Sequence, residues 1–235
     1  MNKNNLDAYL SNGNIILFCG IHSDSFKNDI LHSTLYASLL ATRAGKDQEA
    51  WWQTYTQTLN RFGWTLNSRE VRHLDFRAAR LSSIVIECTG NALSEKEEQA
   101  LLSFFSDLET LPANASAIEA LIARLQANAY DSTCHIKDAD SKDQLVSTAV
   151  LLTIVRSNKT LLTVQISFEA GEEITTDILN QPVLTTIKNG NSNIRLLRSS
   201  LDERQYSQFR EPLINKLGNK LQTDLFHFNA SPSAN

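Results

Sequence analysis

Two runs of about ten residues, 146–155 and 160–169, constrain this chain more than any other feature. Val146, Thr148, Val150, Leu152 and Ile154 alternate with Ser147, Ala149, Leu151, Thr153 and Val155; after a short turn at 156–159, Leu162, Val164, Ile166 and Phe168 alternate with Thr163, Gln165, Ser167 and Glu169. Strict period-two patterning on both sides of so short a connection reads as an antiparallel β-hairpin. The same pattern suits two environments. One is a sheet with one face on helices and the other in water, the commoner arrangement. The other is a tilted membrane-spanning hairpin, whose strands need ~9–11 residues. The uncharged Ser147, Thr153, Thr163, Gln165 and Ser167 on the more polar faces suit either.

The rest of the chain supplies what covers such a sheet. Phe26, Ile30, Leu31, Leu35, Leu39 and Leu40 recur at helical spacing behind Ser23-Asp24-Ser25, predicting a helix over 25–43 that stops at Gly45. Asp47 caps a second helix to about Arg61, with Trp51, Trp52, Tyr55, Leu59 and Phe62 as its apolar stripe and Gly63 as its stop. Ser94 and Glu97 form a capping box ahead of Leu101, Phe104, Phe105 and Leu108, and Pro112 closes that helix. Ser116 and Glu119 repeat the pattern for a helix to about Asn128, with Ile118, Leu121, Ile122 and Leu125 inward. Asp202 starts a final helical stretch to about 223, in which Pro212 forces a kink or a new start. The last few residues read as a loose tail.

Further strands are expected at Asn14–Cys19 (or a helix lead-in), along the weakly alternating edge segment 64–76, and at Leu81–Glu87, where Ile84-Val85-Ile86 is a β-branched run. Residues 183–188 and 193–199 form a second hairpin around Asn189-Gly190. The fold class is α+β: a predominantly antiparallel sheet from the second half packed against helical hairpins and a C-terminal helix. One domain over 1–235 is the economical organisation, helix-rich to 130, strand-rich over 131–200, then helical over 202–223.

Composition sets limits. A folded chain of 235 residues exposes ~10,600 Å² against ~38,000 Å² unfolded, so it buries a substantial core without staples. Only 8 glycines and 4 prolines argue against fibrous or disordered classes. A formal charge of −4 offers no net attraction to nucleic acid or an anionic membrane. Three cysteines are no disulfide framework, and no apolar run approaches the ~18 residues of a membrane-spanning helix. The N-terminus does not read as a secretory signal, because Ile15–Ile21 is too short and no small-x-small site follows; the expected compartment is the cytoplasm of the producing cell, export by a dedicated system being compatible with this.

No motif carries catalysis. Cys19 and Cys88 end apolar runs and read as buried, inert thiols, with His22, His32 or His73 as the nearest partners a fold would have to supply. Cys134-His135 lacks the further ligands a zinc site needs, and Asp138–Asp143 departs from a calcium loop at Lys142, Asp143 and Ala149. No phosphate-binding glycine motif and no nucleophile elbow occurs, so neither cofactor nor metal is expected. Glu70, Glu87, Glu97, Glu98, Glu172 and Glu173 show no spacing that pairs them. Trp51 and Trp52, ~100° apart on a helix, favour packing over ligand stacking.

Three functional readings follow. The first is a non-enzymatic binding protein, a cytolysin-like bacterial toxin or effector that engages a target-cell membrane or receptor through the hairpin. Its contact residues would be Val150, Leu152, Ile154, Leu162, Val164, Ile166 and Phe168, with Trp51 and Trp52. The second is an enzyme whose site is assembled from dispersed His, Cys and Glu residues. The third is a soluble immunity or scaffold protein. The five histidines gain charge below about pH 6.5, which admits an acid trigger.

Overall fold

The computed structural model describes residues 6–45, 47–74, 81–112, 114–128, 130–131, 146–170 and 192–228. Its class is α+β with a mostly antiparallel sheet. The order of elements is β1 (Leu6–Ser11), β2 (Asn14–Cys19), α1 (Asp24–Ala44), α2 (Gln48–Arg61), β3 (Trp64–Leu74), α3 (Leu81–Thr89), α4 (Glu95–Thr110), α5 (Ser116–Asn128), β4 (Tyr130–Asp131), β5 (Val146–Val155), β6 (Thr160–Ala170), β7 (Ser192–Leu201), α6 (Glu203–Tyr206), α7 (Arg210–Leu217), α8 (Lys220–Thr223) and β8 (Leu225–Phe228). The sheet runs β3-β7-β6-β5-β2-β1-β8, with β4 beside β5. The long hairpin predicted from its alternation is β5–β6, and it lies inside the sheet. Three strands from the first half, β1 to β3, share that sheet.

The residues fall into two compact units, interleaved along the chain rather than divided at its middle: 1–68 with 152–163 and 197–235, and 69–151 with 164–196. Strands β3, β5, β6 and β7 each contribute to both. In the first unit, Asn12 and Gly13 adopt left-handed φ values of 46° and 81°, the turn that joins β1 and β2 as a two-residue hairpin. Ser23 accepts a hydrogen bond from the Phe26 amide to start α1, and Asp47 accepts one from Ala50 to start α2. Phe26, Ile30, Leu31 and Leu35 are buried along α1, and Trp52, Tyr55 and Leu59 along α2. Gly63 terminates the second helix at φ +84°, where a Cβ would meet Gln205 at 3.0 Å. Leu35, Tyr206, Leu213 and Leu217 form a cluster that Phe62 and Leu201 flank.

In the second unit the capping box at Ser94 is complete: the Ser94 amide donates to Glu97 at 2.8 Å, and the Glu97 amide to Ser94 Oγ at 3.4 Å. Leu101, Phe104, Phe105 and Leu108 of α4, and Ile118, Leu121, Ile122 and Leu125 of α5, are buried as their spacing requires.

Three expectations need correction. Leu81–Glu87 is not a strand but the start of α3: Leu81, Ile84, Val85 and Cys88 are its buried positions, a helical i, i+3, i+4, i+7 face that outweighs the β-branched trio. The polar face of the hairpin does not meet water; Thr148, Thr153, Thr163, Gln165 and Ser167 are all buried. The C-terminal helical stretch is divided into three short helices, and of the two outcomes expected at Pro212 it is the new start that is found, at Arg210. Part of the expected tail is β8, which pairs antiparallel with β1. Residues 183–188, Cys134-His135 and the segment 138–143 lie outside the described residues.

Candidate functional site at the hairpin tip

The β5–β6 turn is built on Arg156–Thr160. The Arg156 amide donates to the Thr160 carbonyl at 2.9 Å and the Lys159 amide to the Arg156 carbonyl at 2.8 Å. Lys159 closes the turn at φ 63°, a left-handed conformation that glycine or asparagine ordinarily fills. A lysine at that position carries backbone strain that glycine would not. Lys159 Nζ reaches Glu203 at 2.5 Å and lies 5.0 Å from the centroid of the Phe26 ring.

The β2–α1 connection lies against this turn. Gly20 (φ +106°) touches Ser157 so closely that a Cβ would stand 2.9 Å from the serine Cβ. His22, 9% exposed, stacks on Phe26 at 5.5 Å and meets the edge of Phe18 at 5.7 Å, with the backbone of Cys19 and Val155 as its polar neighbours. Burial pushes the His22 imidazole below its usual pKa of 6.5, and the Lys27 and Lys159 charges push the same way. Between Gly20 and His22, Ile21 projects into solvent at 84% exposure.

A row of rings continues from this point to the C-terminal strand. Phe18 meets Tyr9 edge-on at 5.7 Å, and Tyr9 stacks on His227 at 4.4 Å. Asp7 collects hydrogen bonds from Lys27 at 2.6 Å, from Tyr9 at 3.3 Å and from His227. Burial alone would raise the Asp7 carboxyl, but Lys27 and His227 outweigh it and hold the group below its usual 3.8. Burial and the Asp7 charge push the Tyr9 phenol up to about 12, so it stays protonated. Nothing in the sequence pattern marks Ile21, Lys159, Asp7 or His227; only Gly20 and the length of the turn hint at the packed tip.

The predicted contact residues sit elsewhere. Val150, Leu152, Ile154, Leu162, Val164, Ile166 and Phe168 are buried, and so are the alternate residues Ala149, Leu151, Val155 and Leu161. Trp52 is buried and Trp51 half-buried, both stacking on Tyr55, which fits the packing reading. Cys88 is buried and its thiol pushed up by that burial, away from the thiolate. Glu97 serves the capping box and Glu70 pairs with Arg72 at 2.6 Å. Among the described residues no three His, Cys, Asp or Glu side chains form a group able to hold a metal, and no helix is long and apolar enough to cross a membrane.

No family model matches the chain, and no curated protein matches it. Its structure is similar to that of the Evf virulence factor, with a TM-score of 0.42 and 9% sequence identity over 90% of this chain and 82% of that one.

Proposed function

We propose that this protein acts by binding, as a toxin or effector that engages a target-cell membrane with the tip of its β5–β6 hairpin. The observation that carries the reading is Ile21, an apolar side chain held in solvent on a connection that is itself fixed. Gly20 is packed on Ser157, His22 is enclosed by two rings, and Ser23 caps α1. A flexible loop loses ordering entropy when it inserts an apolar residue; a fixed one does not. The charges of the hairpin between Val146 and Phe168 are confined to Arg156 and Lys159, in the turn against which the connection bearing Ile21 packs.

The arms of the hairpin are enclosed on both faces, so contact falls on the tip rather than along them. The Asp7–His227 pair, with Lys27 on the second Asp7 oxygen, is the feature on which a catalytic reading would draw.

Co-sedimentation with neutral and anionic vesicles tests the reading. Wild type and Ile21→Leu should pellet with vesicles, and Ile21→Asp should bind at least tenfold more weakly. Wild type left in the supernatant with both compositions, or Ile21→Asp bound as well as wild type, overturns it.

A further inference from the structure

We infer that His22 is an acid-operated latch on the hairpin tip: a proton on its imidazole frees the Gly20–Ser23 connection from the turn at 156–159. The inference deepens the reading of the tip as contact face, naming its regulation, and the geometry behind it is independent of any lipid.

The imidazole sits where a positive charge is least welcome. It occupies the position before the N-cap of α1, whose 21 residues direct the positive end of the helix dipole toward it. From α1 it faces Lys27, and from the β5–β6 turn Lys159. Their partners, Asp7 and Glu203, are engaged with those lysines. From β2 come the Cys19 backbone and the apolar ring of Phe18. Its Nε2 is buried without a hydrogen-bond partner in the folded protein. Backbone hydrogen bonds with Cys19 and Val155 favour the charged ring, but burial, with the Lys27 and Lys159 charges, outweighs them, and an imidazolium would add an Nε2 N–H at a buried site where that nitrogen has no partner.

The sign follows from the depressed affinity. The neutral ring favours the latched state above pH 6.5, the value an exposed histidine has, and the preference is lost as pH falls below it. Release needs no strand to leave the sheet. Only the short connection bearing Ile21 and the turn bearing Lys159 have to separate.

Hydrogen–deuterium exchange on the full chain, corrected for intrinsic rates, reads the latch directly. Between about pH 7.5 and pH 5, amides 20–23 and 156–160 should gain at least tenfold in exchange in wild type and in His32→Gln, and stay flat in His22→Phe. Should His22→Phe fail to fold, the wild-type His22 ring resonance serves instead, and it should titrate below 6.5. A His22 titration at or above 6.5, or no gain in wild-type exchange, overturns the latch; so does a gain that persists in His22→Phe. Opening in acid without vesicle binding would retain the latch and remove the membrane reading; binding without opening would do the reverse.

Discussion

At the scale of single residues, the most exacting contact joins α1 to α7. Asp29 is wholly buried, and Arg210 meets both its oxygens, Nε to Oδ1 at 2.8 Å and Nη2 to Oδ2 at 2.6 Å. A two-point bond of this kind fixes α7 against α1 in one geometry. Its cost when broken is asymmetric, because removing the guanidinium leaves a buried carboxylate without its two-point partner, near the Tyr206 phenol. Arg210→Ala should therefore destabilise the protein by about 1–3 kcal/mol, less than for a wholly buried pair because the guanidinium is 37% exposed, and Asp29→Leu with Arg210→Met should restore most of it. Urea unfolding midpoints at unchanged slope would check both. A midpoint shift below about 1 kcal/mol for Arg210→Ala would mean the carboxylate finds water or another donor.

Among elements, helix starts were legible and strand environments were not. Ser23, Asp47 and Ser94 cap the helices that their sequence pattern announces, because a cap is a local event between a side chain and an amide three residues on. The apolar stripe of α3 was outvoted in the sequence by Ile84-Val85-Ile86, a local preference that tertiary packing overrode. Alternation located β5 and β6 to within two residues but implied one wet face. It could not reveal that Thr153 would bond Asn14 at 3.2 Å and stand 3.3 Å from Thr163, since those partners lie on other strands. Nor does any periodicity mark the tip, whose geometry depends on Gly20 meeting Ser157. The strain at Lys159 gives this element its own test. Lys159→Ala loses the side-chain contacts and keeps the left-handed backbone, whereas Lys159→Gly loses them and relieves it. The glycine variant should be the more stable of the two by about 1–2 kcal/mol in urea unfolding. Equal stability would show that the turn changes conformation once the lysine is gone.

For the whole molecule, the decisive question is whether β5–β6 can leave the sheet. The strands sit between β2 and β7 in the sheet order, so departure would break pairing on both sides. It would also uncover Val150, Leu152, Ile154, Leu162, Val164, Ile166 and Phe168, all buried. At ~1.5–3 kcal/mol for each side chain, that is on the order of 10–20 kcal/mol, as large as the entire stability of an ordinary domain. Leaving the sheet and unfolding the protein are therefore the same event in water. A tip that opens in acid asks far less, because the described contacts between the 20–27 segment and the hairpin end include the close Gly20–Ser157 packing, the bond between His22 and the Val155 backbone and Lys159 over Phe26, none of them a strand pairing. The amides of 149–155 and 161–168 should then exchange only through global unfolding. They should remain as protected on vesicles as in solution, with entrapped dye retained. Exchange of those amides on vesicles, accompanied by dye release, would instead establish that the bilayer compensates for the lost sheet and that the arms themselves insert.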